Sequence, residues 1–150
     1  MKKPIPPVVL ATCLGLMALI DWQCRTCLIP VILRPPWTYL GFILLLVAVI
    51  VGLAGLHEFR KAGTTIRPFQ EPAKMVTEGI YRYTRNPMYL ADVIGLLAAW
   101  VLMGMHSAIL GVAMFVVIID LWYIRGEEKM LSEKFGRQFE EFRSRTRRWI

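Results

Sequence analysis

The sequence predicts an all-α integral membrane protein with about four transmembrane helices, a cytoplasmic loop and a C-terminal amphipathic helix. Three observations lead there. Hydrophobic residues fill 56% of the 150 positions and mean hydropathy is +0.49, whereas a soluble domain is roughly 45–50% apolar. The excess is gathered into blocks separated by charged segments. The net charge of +7 comes from Lys and Arg clustered beside those blocks, which is the pattern of positive-inside topology rather than of nucleic-acid binding. The length fits a single domain, 1–150, made of a generic helical hairpin (7–59) and a more polar half (60–150).

The first helix is expected from about Pro7 to Cys24. Its uncharged core, Val8 to Ile20, is short for a bilayer roughly 30 Å thick, so Asp21 and Arg25 belong near the far interface. Lys2 and Lys3 ahead of this segment outline a signal peptide. Pro4, Pro6 and Pro7 interrupt its basic region and more membrane follows, so a retained helix is expected. Cys24-x-x-Cys27 has no second Cys or His pair to complete a metal site, and His57 and His106 are isolated. Plain cysteines and no metal are expected.

Pro30, Pro35 and Pro36 make the next connection a turn, and Trp37 and Tyr39 are interfacial anchors. The second helix runs from about Trp37 to Phe59, with Gly41, Gly52 and Gly55 permitting close helix contacts. His57 and Glu58 read as an interfacial stop. Arg60 to Asn86 is a polar stretch punctuated by Gly63, Pro68, Pro72 and Gly79, mostly loop, with Phe69, Tyr81 and Tyr83 arguing for order.

The third helix, Pro87 to about Met105, has a marked start. Asn86 is a favoured N-cap and Pro87 suits the first helical position. After a turn at Gly104–Ser107, the fourth helix runs from about Ala108 to Ile124. In the tail, Leu131, Phe135, Phe139 and Phe142 recur at helical spacing among Lys134, Arg137, Glu141 and Arg143. That is an amphipathic helix, lying on the membrane surface or folded back on the polar loop. Gly136 within it costs up to about 1 kcal/mol relative to alanine, which points to close packing. Four spans place Lys2, Lys3, the 60–86 loop and the tail on one side and only Arg25 and Arg34 on the other, so both termini are expected in the cytoplasm. The expected location is the inner (plasma) membrane of a bacterium.

The chemistry-bearing residues converge on one membrane face. Gly79 to Tyr89 enters the last hairpin and Arg125 to Leu131 leaves it. The start of the third helix and Arg85 suit an anion, and Glu127 and Glu128 suit an ammonium. A ligand with both charges, such as an amino-acid head, would satisfy both; the alternative is a basic surface patch with incidental acids. Asp92 and Asp120 lie at similar depth and either line a water-accessible pocket or make snorkelling or helix-contact bonds.

The segments Gly63-Thr-Thr-Ile-Arg-Pro68, Val76-Thr-Glu-Gly-Ile-Tyr-Arg-Tyr-Thr-Arg-Asn-Pro-Met-Tyr-Leu90, Glu127-Glu-Lys-Met-Leu131, Phe135-Gly136 and Arg147-Arg-Trp-Ile150 resemble the isoprenylcysteine carboxyl methyltransferase family, which is related to the membrane phospholipid methyltransferases. The resemblance covers Gly63 to Ile150. It implies methyl transfer from S-adenosylmethionine at the cytoplasmic membrane face, with 60–150 as the cofactor-binding half. Carried over, Val76, Gly79, Tyr81, Arg85, Asn86, Pro87, Met88, Tyr89, Glu127 and Glu128 would hold the cofactor. The eukaryotic prenylcysteine enzymes have Arg-His-Pro where this chain has Arg85-Asn86-Pro87. Asparagine can cap a helix but cannot shuttle a proton near neutral pH.

A sulfonium methyl is already activated, so the expected task of the protein is alignment and exclusion of water. The expected acceptor is a small or lipophilic molecule (a carboxylate, amine or thiol) reached from within the membrane, with membrane lipids against the basic segments and no nucleic acid. Arg125 is the candidate for orienting an anionic acceptor. Glu127, Glu128 or Asp120 would serve as base for an amine or thiol. The competing functions are a small four-helix transporter, which should carry a mid-helix charge in its first span, and a noncatalytic membrane scaffold.

Overall fold

The computed structural model describes residues 6–23, 35–64, 72–104 and 109–150. In chain order these form α1 (Pro6–Gln23), α2 (Trp37–Ala62), a 3-10 turn (Gly79–Arg82), α3 (Pro87–Met103), α4 (Ile109–Ile118), a π turn (Ile119–Ile124), α5 (Arg125–Phe135) and α6 (Arg137–Arg145). No strand occurs among the described residues; an isolated parallel bridge joins Thr84 to Arg147. Lys2, Lys3, Pro4, Cys24, Arg25, Cys27, Pro30, Arg34, Arg67, Pro68, Phe69, His106 and the side chain of Asp21 lie outside the described residues, as do the expectations placed on them.

Helices form where the chain is apolar because backbone groups without water must bond to one another. α2 extends past Phe59, so Arg60 and Lys61 fill its last turn, where cations suit the helix's negative end. Two helices, Trp37–Ala62 and Ile109–Phe135, are long and apolar enough to cross a membrane. α1 and α3 have 18 and 17 residues, or about 27 and 25 Å at ~1.5 Å per residue. On α2, Phe42, Ile43, Leu46 and Ile50 all point outward and are exposed. A continuous apolar face of that kind suits lipid and is unfavourable in water.

α2 lies along α3, while α1 packs on α4 and to a lesser extent on α3. Cys13 and Met17 of α1, Leu96 of α3, Phe115 of α4 and Ile119 of the π turn are buried together. Cys13 is a free buried thiol in α1. The α2 glycines face α3. A Cβ on Gly55 would sit 3.2 Å from Met88 and 3.3 Å from Pro87, so α2 presses directly on the start of α3.

The tail differs most from expectation. The fourth helix does not stop at Ile124. It passes through the π turn, where the Arg125 N–H donates to the Asp120 carbonyl, and continues to Phe135 as one 27-residue rod. Nor is the tail a single helix. It breaks at Gly136, whose φ of 49° and ψ of −120° belong to a region essentially restricted to glycine. The close packing expected of Gly136 is absent, since nothing lies within 4 Å of where a Cβ would be. Gly136 serves the bend. α6 then folds back, and residues 146–150 run as a strap to the loop before α3, where Thr84 meets Arg147. Of the two placements open to the tail, this is the one folded back on the polar loop.

Gly136→Ala is therefore expected to destabilise the protein by about 1–3 kcal/mol through backbone strain alone. The check is the thermal midpoint in detergent, which should fall. An unchanged midpoint would mean that α5 and α6 do not meet at this bend.

Candidate functional site

Glu127 and Glu128 open α5, at the same end of the bundle as the 3-10 turn and the start of α3. The turn is pinned by Tyr81, whose ring meets Phe59 edge-on at 5.6 Å and 87°. Gly79 has φ 58°, and a Cβ there would strike the carboxylate of Glu58. Glu58, expected only as an interfacial stop, thus also supports the turn. Burial, helped by Glu127 and Glu58 nearby, pushes the Tyr81 phenol well above its usual range, so it stays protonated.

Consecutive helical residues point in different directions, and the two glutamates do so. Glu128 faces two arginines. Its Oε1 accepts from Arg85 Nη2 at 2.9 Å and from Arg148 Nε at 3.1 Å, and its Oε2 accepts from Arg148 Nη2 at 2.6 Å. The side chains of Arg85 and Glu128 are only 10% and 12% exposed, so these bonds are shielded from screening. Arg85 also donates from Nη1 to the Arg143 carbonyl at 3.0 Å and the Thr146 carbonyl at 2.9 Å. Arg148 reaches Asp120 Oδ1 at 3.1 Å as well.

Glu127 faces α3 instead, where its Oε1 accepts from the Tyr89 hydroxyl at 2.9 Å. The apolar part of this helix ends at Ile124, and Glu127 lies in the charged continuation beyond it. Burial pushes its carboxyl up to about 7, with the Tyr89 bond opposing the rise. Glu128 is neutralised by two cations, whereas Glu127 has a single neutral partner among the described residues.

Asn86 occupies the N-cap position, but its side chain makes no capping bond. Its Nδ2 donates to the Arg148 carbonyl at 3.0 Å, while its own N–H is taken by Thr84 Oγ1 at 3.2 Å. The strap has claimed the cap residue, and no side chain caps the first turn of α3. Arg85 Nε is buried without a partner.

Val76, Tyr81, Arg85, Asn86, Met88, Tyr89, Glu127 and Glu128 line one cavity of about 990 Å³. Gly79 and Pro87 stand behind its wall, the one against Glu58 and the other against Gly55. Away from this polar mouth the cavity continues between α1 and α2 along α3, past Leu14, Leu45, Leu53, Leu96 and Leu102. The two aspartates part company: Asp92 lines the cavity, while Asp120 is held by Arg148 and, at 3.4 Å, by Arg125. Arg125 is 60% exposed and does not line the cavity. Sequence reasoning did not single out Thr84 or Arg148 as site residues. Thr84 is buried among helix-start residues, and Arg148 sits in an extended segment with no periodicity to read.

Removing one partner of a buried ion pair costs about 3–5 kcal/mol. Arg85→Ala should destabilise on that scale and free the strap, because three acceptors lose their donor together. Arg85→Lys should fail to restore it, since an ammonium lacks the planar fork. Limited proteolysis near residues 143–148, alongside thermal midpoints, checks this; a parent-like profile for Arg85→Ala would contradict it.

Residues 37–138 match the phospholipid methyltransferase family. The match begins one helix earlier than the motif resemblance did, taking in α2, and ends in α6 before the strap. An uncharacterized protein of Haemophilus influenzae is 36% identical over 63 residues, which is 42% of this chain and 100% of that protein. No solved structure matches. With well over half of its length matched, the chain belongs to the phospholipid methyltransferase family, the family of isoprenylcysteine carboxyl methyltransferase-like membrane methyltransferases.

Proposed function

We propose that this protein is an S-adenosylmethionine-dependent methyltransferase that works at the cytoplasmic membrane face on a small or lipophilic acceptor. The observation that carries the reading is Glu127, a half-buried carboxylate with one neutral partner among the described residues, at the mouth of a cavity that leads into apolar space. In this reading α1, α2, α3 and the apolar part of the rod, α4 with the π turn to Ile124, are four spans, both termini face the cytoplasm of a bacterial inner membrane, and 1–150 is one domain whose second half, 60–150, holds the cofactor.

The residues present fit that cofactor. Its methionine end bears an ammonium and a carboxylate, and the mouth offers an acceptor in Glu127 and a buried unpaired donor in Arg85 Nε. The uncapped first turn of α3 adds partial positive charge. Tyr81, Met75, Val76, Phe139 and Phe142 supply apolar wall for a nucleoside. A volume of about 990 Å³ lies at the top of the roughly 300–1,000 Å³ range of small-molecule sites, which leaves space for an acceptor beside a donor.

When bound, the cofactor supplies an activated sulfonium methyl. Glu127 would hold the ammonium, with Tyr89 fixing the orientation of Glu127. Glu128 is a positioning residue that keeps Arg85 and the strap in place. Gly79 and Pro87 shape the turn and the start of α3, while Asn86, Met88 and Tyr89 form cavity wall beside the cofactor. The apolar groove lets a lipophilic acceptor arrive without crossing water. Good alignment of two reactants can lower a barrier by roughly 7–11 kcal/mol.

Calorimetry on detergent-purified protein should detect S-adenosylmethionine or its demethylated product. No heat at millimolar ligand with folded protein would end this reading. The affinity should depend on pH with a definite sign. The Glu127 carboxyl sits at about 7, so below that pH it is protonated and cannot pair with an ammonium. Binding should weaken by up to about tenfold per pH unit below 7 and level off above it. Glu127→Gln should bind weakly and lose this dependence. For topology, reporter fusions after Lys61 and after Ile150 should both report cytoplasm, and a fusion at Met105 the far side; opposite signals for the two polar segments would refute a shared site.

A further inference from the structure

The bridge between Thr84 and Arg147 creates a second surface, on the outside of the polar network. The two segments run parallel there, and the Arg85 N–H donates to the Arg147 carbonyl at 3.0 Å. Thr84 and Thr146 are buried, while Arg82, Tyr83, Arg145 and Arg147 are exposed. Tyr83 is 77% exposed and Ile150, at the end of the strap, 78%. Among the described residues no carboxylate pairs with Arg82, Arg145 or Arg147, whereas their neighbours Arg85, Arg143 and Arg148 each have one. The strap also has a defined depth. Arg148 reaches both Asp120 in the π turn and Glu128 on α5, so it straddles Ile124, where the apolar part of the rod ends. Trp149 packs against the buried cluster that includes Tyr89, Tyr123 and Ile124. The exposed surface therefore stands at the boundary between apolar and charged chain.

We propose that Arg82, Tyr83, Arg145, Arg147 and Ile150 form a seat for anionic lipid headgroups in the leaflet at the polar end, and that lipid bound there steadies the strap from outside. The ground is charge complementarity at that depth. Each cation close to an anionic lipid surface strengthens binding by about fivefold. A tyrosine ring favours the headgroup level, and an exposed isoleucine beside it favours the hydrocarbon edge over water. A soluble acidic partner would meet the same cations but would have to reach them at the membrane boundary. Consecutive strap residues then hold opposite things: Arg148 reaches in to Glu128, and Arg147 reaches out to lipid. The proposal rests on the membrane placement in the reading above and not on methyl transfer.

The test is native mass spectrometry of the full chain in nonionic detergent with equal amounts of phosphatidylglycerol and phosphatidylcholine. The parent should retain the anionic lipid at least about fivefold more than the zwitterionic one. The double variant Arg82→Gln/Arg147→Gln should lose most of that preference. Lys129→Gln/Arg137→Gln, which removes the same charge from exposed sites on α5 and α6, should keep it. In limited proteolysis of the parent, phosphatidylglycerol and not phosphatidylcholine should slow cleavage near residues 143–148. No preference in the parent, an equal loss in both double variants, or cleavage that the anionic lipid leaves unchanged overturns the proposal. So does displacement of the lipid by millimolar inorganic phosphate, which would mean a free-anion site. The parent's own cleavage decides if a variant fails to fold. Reporter fusions and donor calorimetry are read separately, so failure of the membrane placement or of the methyltransferase reading is distinguishable from loss of the lipid preference.

Discussion

Glu128 is the residue on which the polar end of this protein depends. One carboxylate draws Arg85 from the start of α3 and Arg148 from the strap to α5. Two arginines on one glutamate would be costly if any donor were left over, because desolvating charge is expensive. Most of the surplus is absorbed locally, since Arg85 turns its second nitrogen to two tail carbonyls and Arg148 reaches Asp120, while Arg85 Nε stays buried without a partner among the described residues. Four segments far apart in sequence are thereby closed into one network, and the cavity mouth takes its shape from it.

That network divides labour between neighbouring residues. Glu128 spends three of its acceptor positions and its charge on the two arginines of the network. Glu127 keeps acceptor capacity because it looks across to Tyr89 rather than to an arginine. The helix makes this division by geometry, since successive side chains diverge. The π turn before α5 keeps the rod continuous from Ile109, so both glutamates are carried on a rigid element rather than on a loop. Rigid supports favour precise sites.

Much of this was legible in the sequence, and what was not has physical causes. The apolar blocks, the Asn86-Pro87 start and the convergence of Arg85 with Glu127 and Glu128 followed from hydropathy, local backbone preference and short connections. The bend at Gly136 was not legible, because a glycine in an amphipathic pattern looks the same whether it packs closely or turns the chain. The cap could not be read either: Asn86 fits the position, but the choice between its own helix and the Arg148 carbonyl is made by the strap, 62 residues away. The split between Glu127 and Glu128 depends on partners across the bundle. The motif resemblance identified the relatives that the family match then showed, while the residues around it needed the fold.

The proposed place of the methyl donor is against Glu127 and the turn before α3. Ultraviolet cross-linking of methyl-labelled S-adenosylmethionine to the purified protein, followed by peptide mapping, locates the donor directly. Label is expected on peptides spanning residues 75–92 or 125–142, displaced by excess demethylated product. Label confined to α1 or to the lipid-facing side of α2, or label that excess product does not displace, would contradict it.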